Sequence, residues 1–303
     1  MSNSVTKPRV GIGMPVYNGE RYLEETITAT LAQTFEDFEL IIADNASTDK
    51  TEQICRDFAA KDSRINYIRN PVNLGASQNY TICFEPSKSD YFRWGNADDL
   101  PEKKLVEKCV KVLDENPDTV LVYGKTKIID ENGNHLKNYD DNLDLQDSCA
   151  SKRFIQCSQN IGLSNVLYGL MRRDSLAKTA LLGNYLSSDI NLIAELTLYG
   201  KYREIPDFLF SRRMHPECST WDPDDEDRKR NFWDPSKHKL LMQSWRSVYE
   251  YFKAAYRAPI SLSEKRALAL YLCKLAYWRK DKMTLDVQHL IKYKLNKLGV
   301  CRI

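Results

Sequence analysis

Two adjacent carboxylates, Asp98 and Asp99, are the side chains in this sequence most suited to chemistry. They close the run Tyr91-Phe92-Arg93-Trp94-Gly95-Asn96-Ala97-Asp98-Asp99-Leu100-Pro101. The aromatic stretch 91–94 reads as a strand that stops at Gly95. Pro101 stands where a first helical turn is expected, its fixed φ suited to that place. The pair is thus expected at the carboxyl end of a strand, the edge of an open α/β sheet where ligands bind. Adjacent carboxylates repel one another and attract a cation. Small oxygen clusters hold Mg²⁺ or Mn²⁺ through one or two carboxylates and leave the remaining shell to substrate phosphates. The competing reading is a pair of acids at a helix amino end, facing free N–H groups and the helix dipole.

The elements that must position this pair follow from hydrophobic spacing. A short buried strand is expected over 10–14, with a turn at Pro15-Val16-Tyr17-Asn18-Gly19. Leu23, Ile27 and Leu31 share one face of a following helix. A second strand covers 38–43 and ends at Asp44. Asp49 and Glu52 have capping-box spacing for a second helix, with Ile54 and Phe58 inward. A third strand at 65–69 breaks at Asn70-Pro71, and a helix begins near Ala76. After the carboxylate strand, Leu105, Cys109 and Val112 mark a fourth helix. Four strand–helix alternations predict a parallel, doubly wound sheet. Further on, 120–130 and 165–171 read as strands, 139–148 as an acidic surface loop, and Ser188-Asp189 as a helix start with Leu192 and Leu196 inward. Residues 202–205 and 207–213 read as extended and 217–234 as a long mobile loop. Helices are expected over 236–257, 262–279 and 283–298.

A dinucleotide-binding unit is disfavoured. Gly11 and Gly13 lie within the first strand instead of at the turn, and Val16 stands where a third glycine belongs. Eight cysteines lie scattered through 303 residues with no C-x-x-C pair, as expected of reduced cytosolic thiols. No apolar run is long enough to span a bilayer, and the polar start of the chain lacks a signal peptide's apolar core. Charge is uneven: residues 1–227 carry 26 Lys and Arg against 37 Asp and Glu, whereas 228–303 carry 18 against 5. An acidic body with a basic tail implies two parts that meet different partners.

Taken in order, four stretches resemble family 2 glycosyltransferases, the inverting enzymes of GT-A fold that use sugar nucleotides. They are Met14-Pro15-Val16-Tyr17-Asn18, the run from Phe38 through Asp44-Asn45-Ala46-Ser47 to Asp49, Asn73-Leu74-Gly75 with Asn79, and Asn96-Ala97-Asp98-Asp99. The run from Leu209 to Thr220, containing Arg212-Arg213-Met214-His215, is similar to the closing motif of a bacterial-type branch. The resemblance implies a mostly parallel Rossmann-like sheet flanked by helices. It implies that Pro15, Val16, Tyr17 and Asn18 border the nucleotide and that Asp44 takes a hydrogen bond from the base. Arg69, Asn73, Gly75 and Asn79 then lie near base or phosphates. Asn96 and Ala97 face the ribose, Asp98 binds Mn²⁺ or Mg²⁺, and Asp99 sits near the donor sugar. Where the family opens its carboxylate motif with Asp, this chain has Asn96, so Asp98 carries the metal with His215 as its candidate partner. Asp189 matches the family's base, with an N-cap as its plainer reading and Glu195 as a substitute. Arg172, Arg173, Arg212 and Arg213 are candidates for the diphosphate side.

These expectations amount to a GT-A domain over 1–220, a mobile acidic loop over 221–235 and a basic helical region over 236–303. The expected activity is metal-dependent, inverting transfer of a sugar from a nucleoside diphosphate, UDP by preference, to a hydroxyl of a glycan or lipid-linked glycan. The rivals are a catalytically silent sugar-nucleotide-binding scaffold and a nucleotidyltransferase. The tail's interleaved Trp, Tyr, Lys and Arg suit a docked helical subdomain, a homodimer contact or a seat on an anionic membrane surface. No nucleic-acid module accompanies the charge. The expected location is the cytoplasm, with peripheral contact at the inner face of the membrane.

Overall fold

The computed structural model describes residues 7–216, 218, 225–236 and 241–297. Parts of the expected closing motif and acidic loop (Glu217 and 219–224), the first six residues, and Leu298 and Cys301 in the tail lie outside the described residues.

The first half alternates as its periodicity requires: β1 (Val10–Val16), α1 (Leu23–Leu31), β2 (Phe38–Asp44), α2 (Thr51–Ala59), β3 (Ile65–Arg69), α3 (Ala76–Phe84) and β4 (Tyr91–Trp94). β1 pairs in parallel with both β2 and β4, and β2 with β3. A near-continuous apolar run such as Leu40-Ile41-Ile42-Ala43, fully buried, is what a parallel strand covered on both faces demands. Gly13 sits inside β1 because α3 crosses it closely: a Cβ there would lie 2.7 Å from that of Cys83. The glycine serves helix–strand packing and not a phosphate turn.

The second half is built on β5 (Leu100–Pro101), α4 (Leu105–Glu115), β6 (Thr119–Ile129), β7 (His135–Tyr139), α5 (Ala150–Asn160), a 3₁₀ turn at Asn165–Tyr168, β8 (Leu170–Arg172), α6 (Arg173–Leu176), α7 (Ser188–Leu196) and β9 (Lys201–Arg213). Among the described residues the strands form one sheet in the order β3-β2-β1-β4-β8-β6-β9-β5, with β7 on β6. The mixed α/β class and the helical carboxyl end match the sequence reading.

Several local expectations change. Pro101 does not open a helix; it lies in the edge strand β5 opposite Phe210, where a missing N–H is tolerated, and α4 begins four residues later. No capping box forms at α2. Asp49 takes the Thr51 N–H at 3.0 Å and the Glu20 N–H at 3.0 Å, while Glu52 turns to Arg56 and Arg69. Residues 165–168 form the 3₁₀ turn instead of a strand. The stretch 139–148 is irregular but not a surface loop: Leu143, Leu145 and Asp141 are buried, and Leu145 exchanges backbone hydrogen bonds with Tyr202.

Among the described residues four more helices follow: α8 (Glu226–Trp233), α9 (Gln243–Arg257), α10 (Leu262–Trp278) and α11 (Lys280–Lys297). α8 falls inside the stretch expected to be a loop. Asp225 caps it through the Arg228 N–H at 2.8 Å. Tyr251, Leu268, Leu272 and Leu275 share a core with Phe154 and Leu192, so α9 and α10 are packed onto the sheet-bearing body. Seven described cysteines are free thiols, four of them buried.

Candidate active site

The carboxyl ends of β1, β2 and β4 open into a cleft of about 1100 Å³. Pro15 to Asn18 form one wall and Asn96 to Asp99 the floor. Tyr168, Arg212, Arg213 and His215 close the far side, and Arg228 and Phe232 of α8 overlook it. The cleft therefore lies where an open α/β sheet binds ligands.

The two carboxylates differ sharply. Asp98 is partly open, 29% exposed, and its Oδ2 lies 2.9 Å from His215 Nε2. Asp99 is buried; its Oδ1 accepts the Arg213 backbone N–H at 2.8 Å and its Oδ2 accepts Asn96 Nδ2 at 2.8 Å. Burial, with Asp98 next to it, pushes the Asp99 carboxyl up to about 7. Asn96 also accepts the Tyr80 hydroxyl at 2.9 Å. Its amide is thus part of a clamp on Asp99. Arg213, almost wholly buried, donates from Nε to the Asp98 carbonyl at 2.9 Å and from Nη2 to Glu25 at 2.8 Å, and lies over the Tyr22 ring. β9 thereby fixes the carboxylate turn.

At the other end the expected base contacts fall on a structural network. Asp44 is buried and does not line the cleft. Its carboxylate accepts the Ser47 N–H at 2.8 Å, the Tyr67 hydroxyl at 2.8 Å and Arg69 Nη1 at 2.5 Å. A base N–H would need to displace one of these. Asn79, also buried, donates to the Ala43 carbonyl at 2.7 Å and accepts Asn70 Nδ2 at 2.9 Å. Asn73 accepts Asn45 Nδ2 at 2.8 Å and the Gly75 N–H at 2.9 Å. These amides tie the ends of β1 and β2 to the loop before α3. Gly75 has φ +82°, and a Cβ on it would meet the Trp233 carbonyl at 2.7 Å. Asn45, Asn73 and Asn79 keep cleft-facing surface, as do Val16 and Tyr17, whose ring is half exposed.

Asp189 sits in the first turn of α7, behind Ser187 at φ +62°, which makes no side-chain cap. It is partly buried, and that burial raises its pKa; the Ser164 hydroxyl and the charge of Arg212 oppose the rise. Arg212 donates to the Leu163 carbonyl at 2.6 Å and to Asn165 Oδ1 at 2.9 Å, facing both Asp189 and the cleft. Glu195 is engaged elsewhere: Arg257 reaches it at 2.7 Å and the Ala180 N–H at 3.1 Å. Arg172 and Arg173 leave the candidate set. Arg172 stands opposite Tyr91, at the start of β4 and away from its carboxyl end. It donates to the carbonyls of Thr119, Leu113 and Asn116, and Arg173 donates to that of Ser87.

The sequence model for glycosyl transferase family 2 matches residues 12–178, more than half of the chain. The chain belongs to glycosyl transferase family 2. An uncharacterised glycosyltransferase of Methanocaldococcus jannaschii is 36% identical over 141 residues, 46% of this chain and 49% of that protein. One from Haemophilus influenzae is 33% identical over 130 residues, 43% and 52% respectively. The chain spans about half the length of these relatives. Among solved structures, S. aureus TarS 1–349 in complex with UDP superposes with TM-score 0.64 at 14% identity, covering 91% of this chain and 75% of that one. The Pyrobaculum calidifontis mannosyltransferase PcManGT in complex with GDP-Man and Mn²⁺ gives 0.53 at 14%, covering 96% and 88%. At such identity these two speak for the fold alone, and the fold is that of GT-A glycosyltransferases.

In the cleft, Asp98 and His215 are the side chains whose donor atoms suit a divalent ion. No group of three or more His, Cys, Asp or Glu side chains gathers for a metal among the described residues. Two protein ligands still fit an ion that keeps waters and substrate phosphates in its shell. Asp98 Oδ2 and His215 Nε2 lie 2.9 Å apart, joined by a hydrogen bond that an ion held by both would replace. His215 Nδ1 is buried with no hydrogen-bond partner among the described residues. Sequence reasoning missed Tyr80, Tyr168 and Asp141. Both tyrosines are half-buried phenols that line the cleft beside Asn96 and Asp99, their pKa raised by desolvation. Asp141, pushed up to about 6 by burial, accepts Asn165 Nδ2 at 3.3 Å next to Arg212.

Proposed function

We propose that this glycosyltransferase transfers a sugar, with inversion, from a nucleoside diphosphate to a hydroxyl of a glycan or lipid-linked glycan. UDP is the preferred nucleotide. The observation that carries the reading is the Asp98–His215 pair in the cleft, with Arg212 lining the same cleft and its charge acting on Asp189 behind it. The neighbours solved with UDP and with GDP-Man and Mn²⁺ support a sugar-nucleotide donor and a divalent ion.

In this reading Tyr17 and the strip Pro15–Asn18 hold the base and ribose, with Asn45 and Asn73 beside them. Asp44 acts from beneath, fixing Arg69 and the turn through Ser47. Asp98 and His215 hold Mn²⁺ or Mg²⁺, which when bound neutralises the leaving diphosphate. Asp99 and Asn96 hold the turn that presents Asp98. Asp189 accepts the acceptor's proton as the acceptor oxygen bonds the anomeric carbon and the bond to the diphosphate oxygen breaks. The raised carboxyl pKa of Asp189 makes it a better base than an exposed aspartate.

The chain's organisation follows from the same reading. A catalytic domain extends to about 220, and the helical region assigned to 236–303 follows it as an appendage, its α9 and α10 packed on the body. Among the described residues α11 buries only Met283 and leaves Leu285, Ile291 and Leu295 exposed beside Lys280, Lys282, Lys292 and Lys294. That mixture fits an anionic membrane surface, where a lipid-linked acceptor would be met. No helix among the described residues is long and apolar enough to cross a membrane.

The deciding experiment incubates the protein with UDP- and GDP-sugars and Mn²⁺ and follows free nucleoside diphosphate. Diphosphate release that stops on chelation supports the reading. Release of pyrophosphate, or turnover indifferent to chelator, refutes it.

A further inference from the structure

A second cavity, of about 510 Å³, opens where the first turn of α9 meets the segment leading into α7. Its volume falls in the roughly 300–1,000 Å³ range of small-ligand sites. Two large, partly exposed aromatic rings flank it: Trp245 is 45% exposed and Tyr249 57%, the latter with Lys253 Nζ over one face at 5.4 Å. Trp245 is not loose, because its indole N–H donates to the Met283 carbonyl at 2.9 Å. That bond fixes the ring and leaves its face free. Tyr185, buried, forms the inner wall with Arg246 over its ring at 5.6 Å. Asn184 supplies an amide, while Gln243 shapes the rim, its amide held by the Leu186 N–H and the Leu241 carbonyl. Met242, at φ +58°, holds the left-handed turn that lets α9 start here, a conformation costly for a methionine.

Partly exposed aromatic rings with amide and guanidinium groups around them are what a sugar ring requires. The C–H face of a pyranose stacks on an aromatic ring, while its hydroxyls need both donors and acceptors. A free phosphate or nucleotide would call for a cluster of cations, and this cavity holds one arginine, itself paired with Glu250 at 2.8 Å.

The cavity is joined to the candidate base. Gln243 accepts the Leu186 N–H at 2.8 Å, three residues before Asp189. Asn191, two residues after it, exchanges two hydrogen bonds with Ser247 of α9. Asn184 accepts the hydroxyl of Ser77, whose neighbour Ala76 lines the main cleft. We infer that this cavity is an acceptor subsite, which holds a sugar unit of a glycan acceptor distal to the hydroxyl presented to Asp189. The inference rests on the glycosyl-transfer reading and adds that the acceptor is an oligosaccharide.

The test uses the full chain and a panel of defined trisaccharides: cellotriose, maltotriose, mannotriose and N,N′,N″-triacetylchitotriose. Saturation-transfer NMR and tryptophan fluorescence read binding, and thermal shift with UDP and with GDP reads the donor site in parallel. At least one trisaccharide is expected to bind saturably and without competition from nucleotide. Tyr249→Ala should weaken that binding roughly 5–30-fold, the factor carried by one lost stacking contact of 1–2 kcal/mol. Tyr249→Phe, which keeps the ring, should restore it, and the nucleotide shift should not change in either variant. Binding equal in Tyr249→Ala, or no binding by any trisaccharide while nucleotide still shifts the melting temperature, overturns this inference and leaves the donor reading intact. Loss of the nucleotide shift in the native chain itself overturns the donor reading instead.

Discussion

Asp189→Asn removes one charge and keeps the shape of the side chain. If Asp189 takes the acceptor's proton, transfer should slow by about 10²–10⁴, the usual worth of general-base help, or about 2.7–5.4 kcal/mol at 1.36 per tenfold. Hydrolysis of the donor, with water as acceptor, should fall likewise. Nucleotide affinity should hold, because Asp189 does not line the main cleft. Stability should move the other way. Burial raises the Asp189 carboxyl pKa above its unfolded value. A carboxyl so raised favours folding while protonated, and that contribution is lost as pH rises through the folded pKa. At neutral pH the ionised group therefore destabilises the fold, and Asp189→Asn should melt higher than the native chain. In the native enzyme the acid limb of kcat/KM should lie above the ordinary carboxylate range, since the base works only when ionised. Calorimetry and a coupled nucleoside diphosphate assay measure both. A variant that keeps more than about a tenth of the rate, or that melts lower and loses nucleotide affinity, refutes the assignment.

Asp98→Asn should abolish turnover and weaken nucleotide binding only when Mn²⁺ is present; equal weakening in chelator would remove Asp98 from the metal. Gly75→Ala should destabilise by more than about 1 kcal/mol by denaturant unfolding, since φ +82° and the nearby Trp233 carbonyl both oppose a Cβ. Arg257→Ala leaves Glu195 buried and unpaired and should cost about 3 kcal/mol, the low end for such pairs because Arg257 is a third exposed. The 303-residue chain should sediment with phosphatidylglycerol vesicles at low salt and less as salt approaches physiological levels, where screening acts over about 8–10 Å. Retention after reversing Lys280, Lys282 and Lys294 to Glu would refute a basic membrane seat.

The donor half of the molecule was legible because its signals are local. Buried runs such as 40–43 give the strands, and the motifs sit at their ends. Pro101 was misplaced because a proline serves an edge strand as well as a helix start, and only the pairing with Phe210 decides between them. The arginines were misjudged for a related reason. Arg172 and Arg212 look alike in sequence, yet one finds three carbonyls at the start of β4 and the other faces the cleft. Asp44 was read as a ligand-facing acid, but its partners Tyr67 and Arg69 come from β3, more than twenty residues away. The buried stretch around Leu145 depends on Tyr202, and so was invisible to any window of local sequence.

The site is also an argument about assembly. Asp98 belongs to the local, parallel half, but the groups that fix it come from the end of β9. The Arg213 N–H holds Asp99, the Arg213 side chain holds the Asp98 carbonyl, and His215 lies against the carboxylate itself. β9 in turn reaches that position by running parallel to β6 along most of its length. Long-range pairings of this kind close large loops and form late relative to local strand–helix units. The carboxylate turn therefore gains its geometry only when both halves of the sheet have joined. The side proposed for the acceptor is tied to the same event, since Arg212, the preceding residue of β9, acts by its charge on Asp189. In the proposed reading, one strand thus ties together the group assigned to the leaving diphosphate and the group assigned to the proton.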